Sequence, residues 1–350
     1  MSTVHLAGLA TAVPPHVLDR DVVAREAGRI FARFGDDFER MAQVFSTAGI
    51  TRRHSVCPVE WFEHARGWHD RSERYLEGAK ALFREAADKA LARASLHPHD
   101  IDVIITVSST GIATPSIEAH VMHDMGFRGD VLRVPVFGLG CAGGVTGLAI
   151  AAGLAGGKRQ SRVLVVTIEL CTLAFRPDEM SKSNIVATAL FGDGAAAAIV
   201  TAGDTADDVG PVIEHCGQHT WDHTLDVMGW RVDDEGLGAI FSRSIPDLVA
   251  RDLRPAAEQF LQRHDLGLPE IDHFAFHPGG VKVIHALEAA FELQQGQLVH
   301  EREVLADHGN MSAPTVLFVL EKVLSLKQQG RRFVGALGPG FTASFLTLLQ

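Results

Sequence analysis

Three side chains stand where chemistry could be done. Cys141 follows Gly138-Leu139-Gly140 and precedes Ala142-Gly143-Gly144, between an apolar run at 131–137 and another at 144–156. Glycines there permit a sharp turn and close approach of a substrate. The start of the following helix offers unpaired N–H groups and a positive dipole end, both of which favour thiolate over thiol. That is the setting of a nucleophile; the competing reading is a small buried core thiol. His277 ends the apolar run 272–276 and precedes Pro278-Gly279-Gly280. An imidazole at a strand end before such a turn faces a cleft. There it could take the Cys141 proton, pair with the thiolate as imidazolium, or donate to a developing oxyanion; a structural histidine is the alternative. Asn310 lies in His308-Gly309-Asn310-Met311-Ser312, ahead of a helix with Pro314 near its start. Alone it reads as a cap or loop residue. Beside a cysteine and a histidine, its neutral N–H₂ can hold a thioester enolate without protonating it prematurely.

The elements that must position these groups follow from apolar periodicity. Residues 3–13 read as a strand ended by Pro14-Pro15, and 19–49 as amphipathic helix interrupted at Gly35. Helices are predicted at 72–95, 116–126 and 144–156, and strands at 101–107, 131–137 and 162–167. The nearly continuous apolar character of 101–107, and again of 162–167, predicts strands covered on both faces. The segment 189–200 reads as a tight turn feeding a strand of small residues, and the acidic stretch 201–210 as a boundary. Beyond it, strands are predicted at 272–276 and 332–337, and helices at 247–264, 280–293 and 312–328. This alternation implies a layered α/β fold. Gly192-Asp193-Gly194 and Gly338-Pro339-Gly340 each precede an apolar strand, and Cys141 and Asn310 each precede an apolar helix. Two echoes in one order suggest a duplicated unit, with halves at 1–205 and 206–350.

The 350 residues, 46% hydrophobic and 21% charged, are enough for a large core. A net charge of -11 disfavours a nucleic-acid partner, though it leaves room for a local basic patch. No uncharged apolar run reaches the roughly 18 residues of a membrane span. The first residues lack the basic and long apolar regions of a signal peptide, so the chain is expected in the cytoplasm. The four cysteines form no CxxC pair, which argues against a disulfide framework or a zinc site.

The segments GLGCAGGVTGLAIA (138–151), ALFGDGAAA (189–197), HPGG (277–280), REVLADHGNMSAPTVLFVLE (302–321) and GPGFTA (338–343) resemble, in order and spacing, the hallmarks of type III polyketide synthases. These are the chalcone synthase-like branch of the thiolase superfamily. The resemblance covers most of the chain from about residue 100 onward. It implies a five-layered αβαβα thiolase-like fold, a homodimer, and acyl-CoA and malonyl-CoA as substrates with no metal or redox cofactor. It casts Cys141 as nucleophile, His277 as its activator, and His277 with Asn310 as the oxyanion hole.

The resemblance also implies roles by position. Phe191 matches a gatekeeping phenylalanine, and a second gatekeeper falls at Ala239. Two cavity threonines of plant enzymes fall at Cys171 and Ala174, and a glycine at Trp230. Thr114 falls where a residue crosses to the partner subunit, and Ser312 matches a serine near the cysteine. Small residues at 239 and 174 with a large one at 230 predict a channel for a linear alkyl starter, hence alkylresorcinol or alkylpyrone products. For the CoA phosphates the candidates are Arg40, Lys282, Arg302 and the Arg52-Arg53 pair, while Gln43 and Thr47 lack charge. The alternatives are a ketoacyl-carrier-protein synthase III-like enzyme making one condensation, and a non-catalytic homologue.

Overall fold

A computed structural model describes residues 2–158, 160–203 and 210–350. Nine strands form one mixed sheet. In the N-terminal half these are β1 (Val4–Ala12), β4 (Val103–Val107), β5 (Leu132–Val136), β6 (Arg162–Leu170) and β7 (Asp193–Ala202). In the C-terminal half they are β8 (Val212–Thr220), β11 (His273–Phe276), β12 (Arg331–Gly338) and β13 (Thr342–Leu349). Two small ribbons stand apart, β2 (His16–Asp19) with β3 (Arg52–Ser55) and β9 (Met228–Asp233) with β10 (Gly236–Phe241).

The strand order β11-β12-β13-β8-β1-β7-β6-β4-β5 contains one plan twice. In the first copy β4 and β6 are parallel, and β7 and β1 follow antiparallel. In the second β11 and β12 are parallel, and β13 and β8 follow antiparallel. The copies meet at the His5–Val212 pair. The expected duplication is therefore present in the sheet itself, except that β5 has no C-terminal counterpart. The boundary expected at 205/206 lies outside the described residues.

Helices complete five layers. The long α4 (Trp68–Arg93) lays Ala79, Leu82, Phe83, Ala86 and Ala90 on β1, β6 and β7. The central layer is α6 (Gly143–Gly156) and α12 (Thr315–Ser325), each touching strands of both halves. Fully burying a leucine or phenylalanine such as Leu148 or Phe83 contributes about 1.5–3 kcal/mol. The two central helices approach closely because α6 begins on glycine: a Cβ at Gly144 would lie 2.4 Å from the carbonyl oxygen of Ala313. On the far side α9 (Arg254–Gln262) and α10 (Val281–Ala290) close the C-terminal core around Phe260, Leu287 and Phe333. The N-terminal helical region is α1 (Arg20–Phe31), α2 (Asp36–Ala42) and α3 (Val44–Thr47), broken at Gly35 as expected. The remaining helices are α5 (Ile117–Val121), α7 (Lys182–Leu190), α8 (Ile245–Leu248) and α11 (Val299–His308).

Two differences from the sequence expectations have local causes. The helix expected at 116–126 ends at Val121, where the chain enters turns that close at Gly126 with φ 82°. The helix expected at 247–264 widens into a π-turn at Val249–Leu253. Pro255 lacks the N–H that would bond four residues back, and its ring crowds that carbonyl, so the preceding turn loses α-helical register.

Candidate active site

Cys141 lies in a 3₁₀ turn, Gly140–Ala142, between β5 and α6. Gly138 and Gly140 both have positive φ, 89° and 47°, which only glycine adopts freely. A polar chain holds the turn. The Ser109 hydroxyl accepts the N–H groups of Gly138 at 3.1 Å and Gly140 at 3.3 Å. The N–H of Ser109 in turn donates to both oxygens of Glu169, at 3.1 and 3.0 Å. Glu169, next to last in β6, is fully buried, and burial pushes its carboxyl up to about 8 against the pull of its hydrogen bonds.

Asn310 is fixed from both sides. Its N–H donates to the Leu190 carbonyl at 2.8 Å and its carbonyl accepts from Gly192 at 3.1 Å, a parallel bridge across Phe191. Its Nδ2 donates to the Gly279 carbonyl at 3.3 Å, and its Oδ1 accepts from the Ser312 N–H at 2.8 Å. Ser312 reaches back because it sits at φ 58°. The Cys141 Sγ stands 4.0 Å from Asn310 Oδ1. His277 leaves β11 with its N–H on the Gly335 carbonyl at 2.8 Å, and neither ring nitrogen has a hydrogen-bond partner among the described residues.

Cys141, His277 and Asn310 line one cavity of about 590 Å³. Burial pushes the Cys141 thiol up to about 11, with hydrogen bonds from Ser312 and Asn310 pulling the other way. Burial also brings the His277 imidazole down to about 3. The expected pull of the helix start toward thiolate therefore meets a larger opposing effect. Each group is neutral by itself.

The lining also carries Arg40, Lys182, Arg243 and Lys282, all solvent-exposed, and no aspartate or glutamate. In a chain of net charge -11 that is a local basic lining of the opposite sign. Arg40 and Lys282 were expected there, and Gln43 and Thr47 join them; Lys182 and Arg243 were not anticipated. Arg302 is a correction: its guanidinium donates to Glu288 at 2.7 Å, and it does not line the cavity. Arg53 is spent on the carbonyls of Thr188 and Ala189, and Arg52 lies 3.3 Å from Asp307.

The expected specificity residues sit elsewhere. Phe191 and Cys171 form a buried cluster with Ala187, against which Trp230, Ala239 and Phe241 pack. The Phe191 ring lies 5.8 Å from Trp230 and 5.4 Å from Phe241. Ala239 pairs with Trp230 across the β9–β10 ribbon. The space that the small Ala239 was expected to open therefore adjoins three aromatic rings. Of this cluster only Phe241 lines the cavity, and Ala174 ends the Cys171–Ala174 turn outside it. Ser312 is buried beside Asn310, and Thr114 is exposed on its loop. Ser109 and Glu169 were missed as positioning residues; their signal was a polar residue at the end of each buried strand.

Known proteins share this sequence pattern and this fold. Residues 5–204 match the chalcone and stilbene synthase N-terminal domain, and residues 213–348 the C-terminal domain. A putative chalcone synthase of Bacillus subtilis is 36% identical, covering 97% of this chain and 96% of that protein. A 1,3,6,8-tetrahydroxynaphthalene synthase of Streptomyces peucetius is 35% identical over 98% and 92% of the two chains. The solved 1,3,6,8-tetrahydroxynaphthalene synthase of Streptomyces coelicolor superposes with a TM-score of 0.92 at 26% identity, covering 99% of both chains. The chain belongs to the chalcone and stilbene synthase family. It is a type III polyketide synthase, a condensing acyltransferase that works on CoA thioesters and depends on malonyl-CoA.

Proposed function

We propose that this enzyme loads a linear medium- or long-chain acyl group onto Cys141, extends it with malonyl-CoA, and closes the product to an alkylresorcinol or alkylpyrone. One observation carries the reading: Cys141, His277 and Asn310 share a largely apolar cavity whose exposed lining is basic and free of carboxylates. The cations suit the phosphates of coenzyme A, and the apolar interior suits an alkyl chain, at about 0.8 kcal/mol per methylene buried.

In this scheme His277 takes the Cys141 proton as sulfur attacks the starter thioester. A new carbon–sulfur bond forms, and the CoA thiolate leaves with that proton. Malonyl-CoA then loses its carboxylate as CO₂. The electron pair left behind forms an enolate whose oxygen faces Asn310 Nδ2 and His277. The enolate carbon attacks the acyl carbonyl and expels the Cys141 thiolate, so the lengthened chain leaves on CoA and reloads. Loading and condensation exchange groups at thioester carbonyls, decarboxylation releases CO₂, and no metal or redox cofactor enters the scheme. The nucleophile comes from the half spanning 1–205, and the imidazole and amide from 206–350.

The working unit is a homodimer. Ile112, Leu132 and Phe137 expose more than half of their surfaces, 60%, 54% and 58%, with Thr114 on the same loop as Ile112. Light scattering should give about twice 37.7 kDa, and a monomer at micromolar concentration would count against it. Among the described residues no helix is long and apolar enough to cross a membrane, and we place the enzyme in the cytoplasm. The deciding experiment is mass spectrometry of products from a panel of starter-CoAs with malonyl-CoA and no carrier protein. Long-chain starters should outcompete acetyl-CoA and p-coumaroyl-CoA. A best starter of p-coumaroyl-CoA would sink the alkyl reading, and an absolute need for a carrier protein would sink the polyketide cycle.

A further inference from the structure

We propose that Arg176 is a positioning residue for starter selection: it clamps the β9–β10 ribbon, which carries part of the cavity wall, to the segment that leads to Phe191. This role presupposes the proposed loading of an acyl starter on Cys141, whatever that starter's chain.

The wall in question stands on an element outside the main sheet. Met228 and Phe241 pair across the open end of the ribbon, and both line the cavity, as do Ser242 and Arg243 just beyond. Midway along, Trp230 and Ala239 pack against Phe191 and Cys171. The ribbon pairs with no other strand, and two strands by themselves are marginally stable. Where this wall sits is therefore decided by what grips the ribbon. Apolar packing is non-directional, so the aromatic cluster supplies contact without register.

Register comes from the closed end. Arg176 is only 3% exposed. Its guanidinium forks onto Asp233, the last residue of β9: Nη1 donates to Oδ2 and Nη2 to Oδ1, each at 2.8 Å. Nη2 also donates to the carbonyl of Gly236, the first residue of β10, at 2.8 Å. One side chain thus holds both strands, and a fork of this kind fixes orientation as well as distance. The backbone of β10 leaves room for it: at Gly238 a Cβ would lie 3.1 Å from the Arg176 Cζ. Trp68 of α4 adds one bond, from its indole N–H to the Asp233 carbonyl at 3.1 Å.

The other end of the clamp is tied to α7. The N–H of Arg176 donates to Asn184 Oδ1 at 3.3 Å, and its carbonyl accepts from Asn184 Nδ2 at 2.7 Å. Phe191 follows directly on the last residue of α7. The clamp therefore joins the two elements that face each other across the aromatic cluster, and it sets how the Phe191 ring meets Trp230 and Phe241.

The test reads selectivity rather than overall rate. Asp233 is part-exposed, so Asp233→Ala removes the fork while leaving Arg176 and the Trp68 bond in place. The ratio of kcat/KM for dodecanoyl-CoA to that for p-coumaroyl-CoA should move about fivefold or more, with malonyl-CoA decarboxylation held within about twofold. Arg176→Lys keeps the charge but cannot fork, and it should move the ratio the same way. The double variant should add little to either single one. Hydrogen exchange should quicken over 228–241 and stay unchanged over 138–156. A ratio unmoved in folded Asp233→Ala would overturn the proposal. So would an equal fall in both starters and in decarboxylation, which is what a merely structural role predicts. If neither variant folds, Gly238→Ala crowds the guanidinium without removing it and should shift the ratio by a smaller factor; an unmoved ratio there is equally fatal. p-Coumaroyl-CoA as the best wild-type starter would end the alkyl reading alone, because the clamp is judged on the change in the ratio. A wild type that accepts malonyl-CoA as its only starter would end both.

Discussion

The two halves of the sheet follow one plan, and each finishes its edge differently. In the N-terminal half β4 is flanked by β5 through a parallel register from Val103–Leu132 to Val107–Val136. In the C-terminal half the equivalent strand, β11, is the edge. The N–H of Phe276 meets the Glu301 carboxylate of α11 at 2.9 Å. Burial pushes that carboxyl up to about 7. A row of main-chain bonds does not titrate, whereas a single buried carboxyl does. The halves also diverge at matching stations. Before α6 stands Cys141, which can carry charge and form a bond; before α12 stands Asn310, which can only donate and accept. The repeated plan of the sheet supplies two similar helix starts, and the proposed chemistry divides between them.

The largest test of that division is Cys141→Ala. Product should fall below detection while the melting temperature stays near the wild-type value, since one small residue replaces another. Retained condensation would end the assignment. Asn310→Ala, at the sister station, should spare loading and slow malonyl decarboxylation by roughly 10²–10³-fold, the usual cost of a lost oxyanion donor. His277→Ala should weaken both steps. If Asn310→Ala slowed loading alone, the two stations would not divide the work as described.

Glu301→Leu probes the edge itself. It strands the Phe276 N–H and should cost about 1–3 kcal/mol in urea unfolding. Glu301→Gln should recover most of this because its amide oxygen still accepts. Equal losses in both would mean that the bond to Phe276 contributes little.

The smallest effect is the pH dependence. Glu169 and Glu301 stand near 8 and 7 in the fold, above the ordinary value of about 4.3. Between the two values the native state holds protons that the unfolded chain has released. Their contribution therefore favours the fold most at low pH and is lost as pH rises, at up to about 1.4 kcal/mol per pH unit for each group. His277 and His308, pushed down by burial to about 3 and 4, act oppositely and cost stability as pH falls below about 6.5. Across the window from about 6.5 to 8 the histidines fade to neutral in both states and the carboxyls set the slope. Stability should decline across it, and Glu169→Gln should flatten the decline. An unchanged slope in that variant would show that Glu169 is already ionised at pH 6.5.

Much of this was legible in sequence. The uniformly apolar runs within β4 and β6 announced strands covered on both faces, and the glycines around Cys141 announced its turn. Those signals are local, carried by neighbours in the chain. The β9–β10 ribbon was not foreseen because its strands are six residues each and largely half-exposed, so alternation is weak. The packing around Ala239 was hidden for a related reason. A small residue at 239 opens space only if its neighbours leave it empty, and Trp230 and Phe191 approach from other elements. Arg302 looked available because Glu288, its partner, lies a helix away. Lys182 and Arg243 meet at the mouth only after α7 and the loop after β10 have folded against it.

The main-chain bridge across Phe191 has a bearing on how such an enzyme can change. Asn310 is bonded on either side of residue 191, to the Leu190 carbonyl and the Gly192 N–H. The backbone there is common to the aromatic cluster and the amide, so the freedom left to Phe191 is rotation of its own side chain. Substitutions at 191 can therefore trade volume for volume without shifting Asn310. Over generations the volume at this position can vary while the amide beside Cys141 keeps its place.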